Sequence, residues 1–489
     1  MKKSILILFV IFALMLPAFM LSCSGDPKKG NETITAENES PGDTTESESV
    51  ASKTLPEIPD ADYGGHKFNI LISLATLTDV IWNDFHAEEE NGDTMNDAVY
   101  KRNIYVEEKY NVKIVDKEGS SDDLKNSIYA GDNAYDTAML AGYSMLDLVL
   151  DGCFMDMNDM APLNLTKPWW DQKANRDLMI KNKMFYTTGD ISNVVNEATC
   201  VILFNKKLVR EYGMESPYDL VKRGEWTYDK LIELGMQLSG DLNGDGKMDL
   251  NDRYGAFVWD DAVQGAINSI GEKCAKLNSD DELELTLNNE RVLSMFDAYI
   301  NFVLDKNHAL IYQRQDWSGE KTNAMFANDQ GLFYLHIMEL VVRLRAMDIN
   351  FGVLPYPKLD TSQNDYYSLV NGWHAGFMCV PIGQQDPERT GAILEALAAE
   401  STNTLKPAYY DIALKGKLIR DEESEEMLDL IFDSKMYDLG WLYKIGYYYE
   451  EVMNLVRNRK TNFASMYEKS EPRAIKEMEE INAAFNEIF

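Results

Sequence analysis

Apolar and polar positions divide the chain into three regions. After Lys2 and Lys3, residues 5–21 form an almost continuous apolar run. Ser24 to Asp62 then contains no aromatic residue, and up to about residue 58 it is dominated by Ser, Thr, Glu, Gly and Pro. From Tyr63 onward apolar residues return with the periods of strands and helices. His66–Ile72 predicts a strand after Gly64-Gly65. Met95–Tyr110 has helical spacing. Val112–Val115 alternates as a strand, Asp122–Tyr129 reads as a helix, and Tyr135–Leu140 reads as a buried strand. A β-α-β-α-β opening of this kind implies a parallel sheet with helical crossovers. Ligands on such sheets sit beyond the carboxyl ends of the strands, which singles out the loops Leu74–Glu90 and Gly142–Ser144.

The later pattern keeps the α/β mixture. Thr199–Phe204 predicts a strand leading into a helix at Lys206–Tyr212, and Thr227 is a candidate N-cap of the next helix. Gly331–Leu335, Phe351–Leu354 and Ala375–Val380 are short apolar runs. Pro387–Glu400 is an alanine-rich helix, and Glu422–Phe489 reads as several helices. Trp226 is read as a packing residue.

The first region is a secretory signal by its basic start, apolar stretch and small residue at the end. Met20-Leu21-Ser22-Cys23 resembles a bacterial lipobox. That resemblance implies cleavage before Cys23 and acylation of Cys23, which supplies the multiple chains that stable anchoring needs. Residues 1–22 are then the signal peptide, and 23–58 the lipidated Cys and a disordered acidic tether. No later stretch approaches 18 continuous apolar residues, so membrane contact is expected through the lipid alone.

Charge sharpens the choice of partner. Across 489 residues, 81 Asp and Glu face 47 Lys and Arg, a formal net charge of −34. Nucleic-acid binding needs a basic footprint, so that class is excluded. Cys153, Cys200, Cys274 and Cys379 are isolated and show no metal-ligand spacing; buried free thiols are the expected state. Five scattered histidines, and the absence of GxSxG, HExxH, GxGxxG or Walker A spacing, offer no enzymatic centre.

A local motif stands out. Counted from Asp241, oxygen-bearing side chains fall at one, three and five (Asp241, Asn243, Asp245). Gly246 is at six, Lys247 would offer its carbonyl at seven, and Asp249 and Asp252 fall at nine and twelve. This is EF-hand-type spacing with Asp in place of the usual Glu at twelve. A structural Ca²⁺ is expected there, with Asp260 or Asp261 as neighbours. The alternative is an acidic Asx-Gly turn without metal.

The ordered segments MNDAVYKRNIYVEEKYNVKI, AYDTAMLAG, PWWDQKANRDL, NEATCVILFNKKLV, GEWTYDKLIELGMQL, FGVLPYPK and GWHAGFMCVPIG resemble the extracellular solute-binding proteins of bacterial ABC importers. The nearest group is the carbohydrate-binding one that includes maltose-binding protein. The likeness spans about Asp62 to Phe489. It implies an α/β periplasmic-binding-protein-like fold of type II: two lobes joined by hinge strands, with ligand in the cleft. Lobe one would hold 59–190 plus 371–405, lobe two 200–360, and helices 406–489 would pack across both. The crossings are expected near Thr188–Cys200 and Pro357–Trp373. The implied partners are an oligosaccharide and the permease subunits of an importer. The protein is expected to act as a monomer outside the cytoplasm, anchored to the cell membrane, and not as an enzyme. A secreted carbohydrate-active enzyme and a ligand-presenting sensor component are the alternatives.

Sugars need hydrogen-bonding side chains and aromatic faces. By position, Trp82, Tyr143, Trp373 and Trp441 are candidates. The resemblance adds Glu197, at the first crossover, as a hydroxyl-binding carboxylate, and Tyr334 as a stacking aromatic in lobe two. Against these stand ordinary packing for each aromatic and a hinge salt bridge for Glu197.

Overall fold

The computed structural model describes residues 56–74, 83–314, 319–344, 347–415 and 422–488. The strands in chain order are β1 (His66–Ser73), β2 (Val112–Glu118), β3 (Thr137–Ala141), β4 (Tyr186–Thr187), β5 (Cys200–Asn205), β6 (Tyr254–Val258) and β7 (Ala275–Leu277). They continue with β8 (Leu283–Leu285), β9 (Ala309–Ile311), β10 (Gly331–Ile337), β11 (Phe351–Leu354), β12 (Ser368–Leu369), β13 (Gly376–Cys379) and β14 (Lys435–Met436).

The opening β-α-β-α-β unit forms because its local signals agree. Asp93 caps helix Thr94–Tyr110 by accepting from the N–H groups of Met95 and Asn96 at 3.0 Å each. Asn111 ends that helix in the left-handed region, which its short polar side chain tolerates. Ser120 and Asp123 form a reciprocal capping box on helix Ser121–Ala130, so two otherwise orphaned N–H groups are satisfied. β3 is buried at all five positions, as a strand covered on both faces must be.

The first sheet has the order β2-β1-β3-β13-β4. β1 runs parallel to β2 and β3, while β13 runs antiparallel to β3 and β4. The second sheet has the order β11-β5-β10-β6-β9. There β6 is parallel to β9 and β10, and β5 is antiparallel to β10 and β11. The chain therefore leaves the first sheet between Thr187 and Cys200 and returns between Leu354 and Gly376.

Three segments lie side by side where the sheets meet. Asn371 N donates to Ala198 O at 2.9 Å, Val370 N to Met436 O at 3.0 Å, and Ser368 N to Ser434 O at 2.9 Å. β12 and β14 pair in parallel within this junction. One apolar core runs through it, joining Leu71 and Leu140 of the first sheet to Ile202 and Ala256 of the second. Helix Leu405–Lys415 packs on helix Thr94–Tyr110 through Leu405, Ala408 and Tyr409. Helix Phe463–Ile488 reaches β8 through Asn482, whose Oδ1 accepts from Leu283 N at 2.8 Å. Helix Pro387–Ser401 is buried continuously from Thr390 to Ser401, beyond the one-sided burial its spacing suggests. Its alanines allow approach from every side. The four cysteines at 153, 200, 274 and 379 are free and buried, and Trp226 is fully buried with its indole N–H on Pro355 O at 2.9 Å. No helix among the described residues is long and apolar enough to cross a membrane.

The described part of the loop after β1 meets β2 near its carboxyl end, where Asn83 and His86 contact Asp116. Residues 83–86 fold back on helix Thr94–Tyr110 and on Asp116, anchored by the buried Arg102. Its guanidinium donates to Asp84 O, to Ile191 O at 3.0 Å and to Ser401 Oγ at 3.3 Å. Burial lowers its pKa to about 10, against the opposing pull of Asp84. Removing one member of such a buried charged cluster typically costs about 3–5 kcal/mol. Arg102→Met is therefore expected to lower the unfolding free energy by about that much in urea titration, while surface changes such as Lys101→Met leave it within about 0.5 kcal/mol.

Candidate functional site

A cavity of about 340 Å³ opens between the sheets and the helix Tyr448–Arg457. Each wall is built at the carboxyl end of a strand, or just before one that returns. Tyr143 comes from the Gly142–Ser144 turn after β3. Trp373 and His374 precede β13. Trp259, Asp260 and Asp261 follow β6, and Tyr312 and Gln313 follow β9. Helix Tyr448–Arg457 adds Tyr449, Glu450, Met453 and Arg457 from one face, as spacings of three and four dictate.

Two glycines make the first wall. A Cβ on Gly142 would stand 2.7 Å from Gly372 O, and one on Gly372 would stand 2.7 Å from Tyr143 Cε1. Without side chains there, the two backbones touch and Tyr143 lies against Trp373. Their ring centroids are 5.9 Å apart at 73°. Tyr449 meets Tyr143 edge-on at 5.2 Å. On the other wall, Trp259 stacks on His336 at 4.7 Å and 17°, and it meets His374 of the first wall edge-on at 5.5 Å. Trp373 is left 49% exposed, a large ring offered to solvent in a concave site.

The polar floor is uneven in charge. Asp260 is buried and accepts from Gln313 Nε2 and from Arg457 Nε. The same Arg457 donates to Glu450. Asp261 accepts from Asn371 Nδ2 at 3.1 Å. Asn371 is fully buried, and its own Oδ1 accepts from Trp373 N at 3.0 Å and His374 N at 3.3 Å. Asp261 on one sheet is thus tied to the turn that carries Trp373 on the other. Burial, and then the charge of Asp260, push the Asp261 pKa up to about 7. Burial lowers His336 to about 3 and His374 to about 4, so both are neutral at pH 7. Burial, with Asp261 nearby, raises the Tyr143 hydroxyl.

Of the residues expected from the sequence, Tyr143 and Trp373 come together on this cavity. Trp441 is buried, its indole N–H donating to Asn268 Oδ1 at 2.7 Å, and the nearby Tyr443 hydroxyl meets that of Tyr186. Tyr334 is buried in the second lobe with its hydroxyl on Asn323 Oδ1 at 3.1 Å. Glu197 is 1% exposed at the end of helix Val194–Glu197, where its charge acts on Tyr409. The structure therefore places Trp441, Tyr334 and Glu197 in the packed interior, off the cavity wall. Trp82 and Cys23 lie outside the described residues.

Sequence reasoning missed Trp259, Asp260, Asp261, Tyr312 and Gln313. The rule that found Tyr143, applied to the strands of the second sheet, points to all five. Asp260 and Asp261 are also not neighbours of the 241–252 loop. That loop precedes β6, whereas the pair follows it, so the length of β6 separates them.

The loop itself is closed by its own backbone. Asp241 accepts from Gly244 N at 2.6 Å and Gly246 N at 2.8 Å, and Gly246 foremost lowers its pKa. Asn243 Oδ1 accepts from Asp245 N at 2.9 Å, and Asp245 Oδ1 from Lys247 N at 2.9 Å. Asp252 is fully buried and spends both oxygens on Leu242 N and Asp249 N, at 2.9 and 2.8 Å. Among the described residues no three His, Cys, Asp or Glu side chains gather closely enough to hold a metal. In this arrangement position twelve is a loop clamp, while Asp241, Asn243, Asp245 and Asp249 are exposed.

Two α/β sheets bridged by three adjacent segments, with a cavity at their facing strand ends, define the two-lobed binding-protein fold. Residues 86–293 match the model of a family described as bacterial extracellular solute-binding protein, in keeping with the resemblance carried by the sequence. A cyclo/maltodextrin-binding protein complexed with maltotetraose is 15% identical, with a TM-score of 0.56 over 85% of this chain and 97% of that one. An ABC substrate-binding protein from Listeria monocytogenes in complex with cycloalternan is 15% identical, with a TM-score of 0.55 over 85% and 99%. A galacto-N-biose/lacto-N-biose I-binding protein from Bifidobacterium longum is 12% identical, with a TM-score of 0.56 over 86% and 98%. At such identities the likeness is one of fold. No curated protein matches the chain at the level of sequence.

The raised pKa of Asp261 gives a signed expectation. Unfolded, this carboxyl loses its proton near 3.8; folded, it keeps it to about 7. The folded state binds more protons across that window, so the contribution to stability falls as pH rises. The melting temperature of Asp261→Asn relative to wild type is expected to climb from pH 4 to pH 7 and to level off above. A difference constant with pH contradicts the assignment.

Proposed function

We propose that the protein is the substrate-binding lipoprotein of an ABC importer, capturing a carbohydrate between its lobes and delivering it to the permease. The observation that carries this reading is the cavity itself, where aromatic rings from both sheets meet carboxylates from the end of β6 and from helix Tyr448–Arg457. A saccharide presents apolar ring faces and hydroxyls, the two chemistries this wall supplies. Contact with both lobes favours the closed state, because a ligand shifts an equilibrium by its differential affinity for the two forms. The structural neighbours in complex with maltotetraose, cycloalternan and lacto-N-biose support a saccharide of similar size. Binding without turnover is part of this reading, as the family and its structural neighbours are binding proteins.

Anchoring through Cys23 and calcium in the 241–252 loop belong to the same reading. Support for the anchor is the sequence pattern at residues 20–23. Support for the cation is the spacing of oxygen-bearing side chains along the sequence, at Asp241, Asn243, Asp245, Asp249 and Asp252. Calcium is expected to raise the melting temperature, and Asp245→Ala to abolish that rise; an unshifted wild-type melting temperature contradicts it.

A thermal-shift and calorimetric screen of oligosaccharides tests the function. At least one saccharide is expected to stabilise the protein, and Trp373→Ala to weaken its binding tenfold or more, about 1.4 kcal/mol. Stabilisation by peptides or amino acids alone contradicts the carbohydrate reading.

A further inference from the structure

The cavity carries more negative charge than its own cations balance. Asp260, Asp261 and Glu450 line it, and the cationic side chain on the wall is Arg457, which is shared between Asp260 and Glu450. The Asp261 carboxylate accepts from the neutral amide of Asn371. The histidines that face the site are held neutral by burial. Gln313 is 6% exposed, and its Oε1 has no hydrogen-bond partner among the described residues. Three carboxyl groups against one guanidinium, with Asp261 holding its proton to about pH 7 until a cation pairs with it, sit among Tyr143, Trp259, Trp373 and Tyr449.

A neutral saccharide uses these carboxylates as hydrogen-bond acceptors but does not pair their charge. Hydroxyls are satisfied by amides and by already neutralised carboxylates, and an uncompensated carboxylate in a concave site costs free energy. An ammonium group recovers that cost twice over. It pairs with the carboxylate and lies against aromatic faces, whose quadrupole attracts cations.

We propose that the cleft is selective for amino sugars, saccharides with a free amino group, and that Asp261 receives the ammonium. This rests on the carbohydrate reading and narrows it. Carboxylate and aromatic faces together recognise the group by charge, which the N-acetylated form of the same sugar lacks.

The test compares a β-1,4-linked glucosamine disaccharide with its di-N-acetylated counterpart and with maltose, by calorimetry at pH 6.5. The glucosamine disaccharide is expected to bind at least tenfold tighter than the acetylated one. Raising the salt from 50 to 500 mM is expected to reduce that preference. In Asp261→Asn, a substitution that retains shape and the Asn371 contact, the preference is expected to fall to within about twofold. Equal or tighter binding of the acetylated disaccharide or maltose by the wild-type protein overturns the amino-sugar selectivity and leaves the carbohydrate reading standing. If no saccharide binds while peptides or amino acids do, both fail. The wild-type comparison decides without any variant, so a misfolded substitution cannot blur it.

Discussion

Asn371 is the joint on which the site depends. Its backbone N–H holds the segment leaving the first sheet, through Ala198 O. Its side chain accepts from the turn that presents Trp373 and donates to Asp261 beyond β6. A buried amide of this kind has few ways to satisfy its donors and acceptors, and leaving one unmade costs about 1–3 kcal/mol. These four bonds therefore fix one relation between a crossing segment, an aromatic wall and a carboxylate at the end of β6. Rotation of one lobe against the other must be absorbed next to this residue, in the short run of segments that includes β12 and β14. A ligand that touches Trp373 and Asp261 together acts on that joint from both sides.

From this joint the division of labour in the fold follows. The central strands are buried on both faces and hold the sheets rigid; β3 and β5 have no exposed position. Chemistry is left to the turns at their ends, where short loops on a rigid frame position side chains. Helix Tyr448–Arg457 closes the third side and brings the guanidinium that neutralises Asp260. The cleft is thereby assembled from five stretches of chain that are remote in sequence, and its charge is set by how one Arg is shared.

Much of the framework was legible in the sequence, because it rests on local signals. β1, β2 and β3 are marked by apolar runs, and the two helices between them by helical spacing. The strands Cys200–Asn205, Gly331–Ile337 and Phe351–Leu354 are apolar runs of ordinary strand length. The site was legible only in part, because its decisive contacts are distant in sequence. Asp261 and Asn371 are 110 residues apart, and no local pattern records that pair. The C-terminal aromatics show a second cause. Lys444, Gly446 and Tyr447 all have positive φ, and these turns set the helix phase after Trp441. Trp441 therefore packs inward while Tyr449 faces the cavity. No spacing rule predicts such a phase change. Glu197 and Tyr334, drawn from resemblance, sit at buried positions that a family pattern alone does not distinguish from exposed ones.

The central claim is that one ligand bridges the two lobes and draws them together. Small-angle X-ray scattering of the protein, alone and saturated with the saccharide that stabilises it most, measures this directly. The account predicts a fall in the radius of gyration on saturation, and loss of that fall in Trp373→Ala at ligand concentrations that saturate the wild type. An unchanged radius of gyration with the site demonstrably full contradicts it.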